Sequence, residues 1–113
     1  MIPIRLNQKK ENKLHAKSIT VDGFRFDSLA EAKRYGELKL LERNGDISGL
    51  KVHPVFPVEI AGRPICKVIL DFRYEDKNGD EVFEDVKGKD TALSRLKRKM
   101  VEAVYNIDVE IVR

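Results

Sequence analysis

Residues 82–88 read Val-Phe-Glu-Asp-Val-Lys-Gly (VFEDVKG), a β-rich segment that carries three charges and ends at a glycine. Side chains two residues apart on a strand share a face, so Asp85 and Lys87 are predicted to point the same way as Phe83. A carboxylate and an ammonium group on one face of a strand, near its end, call for a chemical explanation. The segment therefore predicts a β-strand that presents a functional pair.

The run just before this segment, residues 65–74 (ICKVILDFRY), is the most apolar of the chain and is predicted to be a central strand. A turn at residues 76–79 would return the chain antiparallel into residues 81–87. Asp71 is costly inside such an apolar run unless it is paired or bound to a cation. The pairing would place it near Asp85, and two close carboxylates favour either a raised proton affinity or a hard divalent cation.

Two further elements are predicted upstream. Residues 19–21 and 24–26 form a hairpin through the Asp22-Gly23 turn. Ser28 then caps a helix that runs to about Arg43, with Glu31 completing a capping box. The inner face of this helix is predicted to hold Glu31, Tyr35, Leu38 and Leu41. Residues 51–60 (KVHPVFPVEI) are β-rich, but their two prolines restrict them to an edge strand or a bent strand.

Downstream, a second helix is predicted from Asp90 or Thr91 to about Tyr105, and residues 107–112 alternate as a last strand. The apolar stripe of that helix is predicted to consist of Leu93, Leu96, Met100 and Val104, with basic residues on the opposite side. The resulting order is helix, three antiparallel strands, helix, strand, which is an α/β sandwich.

Composition narrows the class of protein. A chain of 113 residues suits one domain, residues 1–113, and contains no apolar run long enough for a membrane span. The single cysteine, Cys66, cannot form an internal disulfide, which suits a cytoplasmic protein. Two histidines and one cysteine are too few to indicate a zinc site. No pattern for a small-molecule cofactor is present.

Charge is unevenly distributed along the chain, although the net charge is only +3. Residues 1–18 and residues 89–99 each carry a net charge of +4, whereas the stretch between them is acidic. Two basic ends around an acidic middle suit a polyanion held at its edges with a cation in the centre. A solvated surface with patchy charge is the alternative, and charge alone does not decide between them.

Two longer stretches carry a resemblance. FDSLAEAKRYGELKLLERNGDISGLKVHPVF, residues 26–56, and LDFRYEDKNGDEVFEDVKG, residues 70–88, are similar to small, mostly uncharacterised phage-encoded nucleases of the PD-(D/E)XK superfamily. The resemblance covers roughly residues 19–100. It implies a restriction-endonuclease-like core, with a central mixed β-sheet flanked by helices in the order α-β-β-β-α-β. The hairpin and a basic N-terminal arm, residues 1–17, would precede that core.

The resemblance also implies a catalytic set. Asp71 and Asp85 would bind Mg²⁺, for which Mn²⁺ could substitute, and the carbonyl of Val86 would add a ligand. Glu31 would complete the metal site directly or through water, and Lys87 would position or activate the attacking water. Two positions depart from the family pattern: Leu70 stands where proline is common, and His53 stands where glutamine is expected before Pro54, so the role of that side chain is left open.

The basic ends supply the predicted contacts to DNA phosphates. In the second helix and just before it, these are Lys89, Arg95, Lys97, Arg98 and Lys99, and in the arm they are Lys9, Lys10, Lys13 and Lys17.

The function predicted is a Mg²⁺-dependent DNA endonuclease in a phage context, acting in the host cytoplasm as a homodimer. Branched or recombination DNA, Holliday junctions included, is the substrate that the resemblance favours. The alternatives are a non-catalytic nucleic-acid-binding module that retains the fold, and a purely structural phage component.

Overall fold

The computed structural model describes residues 18–113, so the predicted basic arm and its lysines Lys9, Lys10, Lys13 and Lys17 lie outside the described part of the chain. The described residues form two compact units, and the division between them lies between Gly36 and Glu37. Each unit is described by itself below.

The first unit contains the predicted hairpin. β1 (Ile19–Val21) and β2 (Phe24–Phe26) pair antiparallel through a turn in which Asp22 and Gly23 both have positive φ. Positive φ at both central residues is the geometry that Asp-Gly favours. The rings of Phe24 and Phe26 contact Tyr35, whose hydroxyl donates a 2.7 Å hydrogen bond to the Asp22 carboxylate. The hairpin prediction is confirmed.

Helix α1 (Leu29–Arg43) begins at the predicted capping box. The backbone N–H of Glu31 donates to Ser28 Oγ at 3.1 Å, and the Ser28 hydroxyl lies 3.2 Å from Glu31 Oε2. The helix ends as expected, at a turn in which Gly45 has a φ of 81°. On the predicted inner face Tyr35 and Leu38 are buried, and Glu31 and Leu41 are half-buried. Local capping and turn chemistry therefore set both ends of this helix.

The second unit is built on a four-stranded mixed sheet of order β3-β6-β7-β8. Its strands are β3 (Ser48–Val52), β6 (Phe72–Glu75), β7 (Glu81–Val86) and β8 (Val109–Val112). β6 pairs antiparallel with both β3 and β7, and β8 runs parallel to β7. The return of the chain from β6 into β7 is the one predicted from the sequence.

A separate antiparallel pair, β4 (Val55–Ile60) and β5 (Arg63–Ile69), completes the strands. The sequence predicted one strand over residues 51–60 and another over residues 65–74. Residues 51–60 bend at His53-Pro54, which is one of the two alternatives that their prolines predicted. The prediction of one unbroken strand over residues 65–74 was wrong, because that segment bends at Leu70-Asp71. Five strands rather than three therefore lie between the two helices.

The strands of the second unit have a buried face and an exposed face. Val68, Leu70, Phe72 and Tyr74 are all buried, as the alternation of that run predicted, although it spans two strands. Val58, Val68 and Leu70 pack with Phe83 and Val101 in one hydrophobic cluster. The outer side chains of the β4–β5 pair, Val55, Ile65 and Ile69 among them, are exposed.

Helix α2 (Ala92–Tyr105) starts at Thr91, whose hydroxyl accepts a 3.1 Å hydrogen bond from the N–H of Ser94. The predicted apolar stripe was wrong: Leu93, Leu96 and Val104 are exposed, and only Met100 is partly buried against the core. The buried positions are Arg98 and Val101. The helix is rotated from the predicted orientation because Arg98, near its centre, faces the buried Asp85 and the partly buried Asp90.

At the coarse level, the predicted fold class is confirmed: the protein is a small mixed α/β structure with a mixed sheet and two helices. Among the described residues, no helix is both long and apolar enough to cross a membrane.

Candidate functional site

Asp71 occupies the bend between β5 and β6, next to the β7 backbone. Its N–H donates to the carbonyl of Glu84 at 3.1 Å, and its Oδ2 accepts a 2.6 Å hydrogen bond from the N–H of Val86. These two bonds bracket the backbone of Asp85. Phe72 of β6 pairs with Glu84 of β7, so the next residues outward are Asp71, just before β6, and Asp85 on β7. The structure therefore brings the backbones of the two predicted carboxylates together at the end of adjacent strands.

His53 lies on the other side of Asp71. The pairing of Val52 with Phe72 in the sheet resumes as Val55 with Ile69 beyond the bend, which sets His53 opposite Asp71. The N–H of His53 donates to the carbonyl of Asp71 at 2.9 Å, and a ligand atom of each side chain lies within 4.8 Å of the other. Both residues are half-buried. The sequence left the role of His53 open, because its partner is 18 positions away along the chain.

Asp85 is almost fully buried, at 6% exposure, and its carboxylate faces two cations. Oδ2 lies 3.5 Å from Lys87 Nζ and 3.6 Å from Arg98 Nη1. The first contact confirms that Asp85 and Lys87 share a face of the strand. The backbone of Lys87 is held as well, since its N–H donates to the carbonyl of Val112 at 2.9 Å.

Arg98 was predicted to contact phosphate from an exposed helix face, and that placement was wrong. Its side chain is buried, and both terminal nitrogens bind the Asp90 carboxylate, at 2.9 and 2.5 Å. The hydrogen bonds from Arg98 hold the pKa of Asp90 below its ordinary value. The same bonds raise the pKa of Arg98, which stays charged throughout. Arg98 therefore neutralises acidic side chains within the chain itself.

A cavity of about 240 Å³ opens beside this pair. Its polar lining is mainly cationic and includes Lys67, Lys87, Lys97 and Arg98 together with Asp85 and Ser94. Lys97 was predicted as a phosphate contact, and the structure places it here. Lys67 was missed, although a lysine within the apolar run ICKVIL was a signal that one side of that strand faces solvent.

Three further predicted phosphate contacts within residues 18–113 lie away from the lining of this cavity. Lys89, Arg95 and Lys99 are exposed, and Arg95 Nη1 donates to the backbone carbonyl of Asp90 at 3.0 Å. They remain accessible to a ligand that extends beyond the cavity.

Glu31 belongs to the first unit, where its carboxylate takes part in the capping box of α1. A capping carboxylate needs no metal, because it satisfies backbone and hydroxyl groups at the helix start. Its predicted part in the metal site stays a prediction. Val86 contributes its N–H to Asp71, and the predicted contribution of its carbonyl to a metal also stays a prediction.

Glu84 was not singled out by the sequence, yet it is 1% exposed. The hydroxyl of Tyr74 donates to its Oε2 at 2.5 Å. Because Glu84 and Asp85 are consecutive, they point to opposite faces of β7, and both are buried. The strand therefore buries a carboxylate on each face, which strict alternation of apolar and polar residues would not have predicted.

Comparison with known proteins gives one match. No curated protein and no solved structure matches the chain. One family model, described as a protein of unknown function (DUF1064), matches residues 11–112. Since that match spans nearly the whole chain, the protein belongs to the DUF1064 family.

Proposed function

We propose that the protein is a metal-dependent DNA endonuclease that hydrolyses phosphodiester bonds, built on the restriction-endonuclease-like core of the PD-(D/E)XK superfamily. One observation carries the proposal: His53, Asp71 and Asp85 follow one another at the same level of neighbouring strands, and Lys87 lies 3.5 Å from Asp85. Carboxylates beside an ammonium group at a strand end suit hydrolysis of a phosphodiester.

The donor groups present fit a divalent cation. Asp71 and His53 offer ligand atoms within 4.8 Å of each other, and both are half-buried rather than sealed from solvent. Asp85 and the carbonyl of Val86 would complete the set on β7, and the family resemblance implies Glu31 as a further ligand. Such an ion, Mg²⁺ or Mn²⁺, would polarise the phosphate and lower the pKa of its bound water.

Lys87 has a separate role in this proposal. Its ammonium group is fixed beside Asp85, and its backbone is tied to β8, so it presents a positive charge at a defined point of the cavity. A positive charge held there would stabilise negative charge that develops on a phosphate oxygen. Lys67 and Lys97 would contact neighbouring phosphates from the same cavity.

The charge along β7 supports a polyanionic substrate. At its first residues the strand borders a cavity of about 430 Å³ lined by five carboxylates, those of Asp76, Asp80, Glu81, Asp108 and Glu110. At its other end it borders the cationic cavity of Lys87. A phosphate backbone would be repelled from the first end and attracted to the second.

The wider setting is proposed on the family resemblance alone. The substrate would be branched or recombination DNA such as a Holliday junction, cut in the host cytoplasm by a homodimer of a phage-encoded protein. Fold-level analogy supplies this part of the proposal.

A second function is favoured by one specific contact. The Asp85 carboxylate already faces Lys87 and Arg98, so its charge is balanced by the chain itself. A carboxylate neutralised in this way suits a non-catalytic nucleic-acid-binding module that retains the fold. The two functions differ in whether DNA is cut.

The test is cleavage of labelled linear duplex, single strand, flap and four-way junction, each with Mg²⁺, with Mn²⁺ and with EDTA. Asp85→Asn is compared with Asp108→Asn, an equal change of charge at an exposed position in the acidic cavity. Metal-dependent cutting that is lost only in Asp85→Asn supports the nuclease. DNA binding without cutting by any of these proteins supports the binding module, and absence of both rejects the two functions together.

A further inference from the structure

The two bends that separate the strand pairs place an imidazole opposite a carboxylate. His53 stands opposite Asp71 across paired strands, with ligand atoms of the two side chains within 4.8 Å. We propose that His53 is a metal ligand beside Asp71, and that the site consequently selects Mn²⁺ over Mg²⁺. This inference rests on the metal site of the proposed function but not on cleavage activity.

The main chain sets the position of the histidine. His53 has a φ of 56°, a left-handed conformation that is uncommon outside glycine and in which histidine is enriched among other residues. It is held there by the 2.9 Å hydrogen bond from its N–H to the Asp71 carbonyl. On the next pair of residues, the N–H of Leu70 donates to the carbonyl of Pro54 at 3.1 Å. Both strands thus bend together and keep the two ligand-bearing residues opposite one another.

The chemistry of the two side chains indicates which divalent ion the site prefers. Mg²⁺ prefers an octahedral shell of oxygen atoms and retains several waters, so an imidazole nitrogen is a poor ligand for it. Divalent first-row transition ions accept imidazole together with carboxylate. Among these ions, Mn²⁺ is also well suited to carboxylate and water ligands, which is what Asp71 and an accessible, half-buried position provide.

A glutamine at position 53 would offer an amide oxygen in place of the imidazole nitrogen, which makes His53→Gln the informative substitution. It keeps a polar ligand of similar reach and removes the nitrogen donor. His15→Gln is the matched control, because it makes the same change at the other histidine of the sequence.

The measurement is binding of manganese(II) chloride to the full chain, followed by the electron paramagnetic resonance signal of free Mn²⁺, with Mg²⁺ added as competitor. We expect His53→Gln to weaken Mn²⁺ binding by about 10-fold or more, while Mg²⁺ binding changes much less. His15→Gln should bind Mn²⁺ as the unaltered protein does. Thermal denaturation with and without Mn²⁺ checks that each variant is folded and gives an independent binding readout.

The proposal is overturned if folded His53→Gln binds Mn²⁺ as tightly as the unaltered protein, or if the unaltered protein binds Mn²⁺ no better than Mg²⁺. Binding that depends on His53 in a protein that cuts no DNA would uphold this inference and reject the nuclease. Mg²⁺-dependent cutting that is unchanged in His53→Gln would support the nuclease and reject this inference.

Discussion

Arg98 binds both carboxylate oxygens of Asp90 from within helix α2. A third contact directs its Nη1 toward Asp85, 3.6 Å away. Asp90 lies just before α2 and Asp85 lies on β7, so one side chain connects the start of the helix, its middle and the sheet. Helix α2 is therefore held in its rotation by charge as well as by apolar packing.

Removal of this connection is expected to destabilise the protein. Arg98→Ala leaves two buried or partly buried carboxylates without their shared cation, and we expect the melting temperature to fall by roughly 5 °C or more. Arg95→Ala is the control, since Arg95 is exposed on the same helix. Equal melting temperatures for the two variants would show that Arg98 does not hold α2.

Acid should abolish the contribution of the Asp90–Arg98 ion pair to the stability of the fold. Because Arg98 holds the folded-state pKa of Asp90 below its ordinary value, the stabilisation is fully present above that ordinary value and is lost as the pH falls through the folded-state pKa. Urea unfolding of the unaltered protein and of Asp90→Asn should therefore differ by the same amount at pH 7 and at pH 5, and this difference should shrink only as the pH falls below the ordinary pKa of an aspartate, about 3.9. A difference that was already lost at pH 5 would contradict this assignment.

The two valines of α2 test its rotation. Val101 is 0% exposed and Val104 is 46% exposed. We expect Val101→Ala to lower the free energy of unfolding by about 1–3 kcal/mol and Val104→Ala to change it by less than about 0.5 kcal/mol. Denaturation by urea measures both. The order would be reversed if the stripe predicted from the sequence were the inner face.

The Val104→Ala variant also reports on self-association. If the exposed side chains Leu93, Leu96 and Val104 are covered in a homodimer, the cost of Val104→Ala should increase with protein concentration. Unfolding curves at several concentrations, beside sedimentation velocity, distinguish a dimer from a monomer. A cost that is small at every concentration would place any dimer interface elsewhere.

The cationic cavity makes a prediction about salt. Lys67→Gln and Lys97→Gln should each weaken DNA binding and reduce the slope of log affinity against log salt concentration by about 1. Lys77→Gln provides the control, because Lys77 is 70% exposed and pairs with Asp46 away from the cavity. Fluorescence anisotropy with a labelled duplex measures the slopes. Identical slopes for all three variants would exclude phosphate contacts in the cavity.

Local turn chemistry made parts of the fold predictable from the sequence. Asp22-Gly23 and the Ser28–Glu31 capping box each depend on residues within a few positions, and both formed as expected. The pair Asp85 and Lys87 was predictable for the same reason, since strand alternation needs no distant partner.

Features that depend on distant partners were missed. A proline in residues 51–60 indicated a bend, but the matching bend at Leu70-Asp71 is imposed by strand pairing across the sheet. The burial of Arg98 follows from Asp85 and Asp90, which helical periodicity does not include. Likewise, the position of His53 beside Asp71 required the register of two strands to be known.

The paired bends have a consequence for preorganisation. Where ligand positions depend only on side-chain rotamers, a cation must restrict several torsions when it binds, and this entropy opposes binding. Here the hydrogen bonds His53–Asp71 and Leu70–Pro54 are backbone bonds, so the positions of the two proposed ligands are set once the chain has folded. Substitutions on the exposed face of β4 and β5 should accordingly leave metal affinity unchanged, whereas a residue that straightens either bend should reduce it even with every ligand still present.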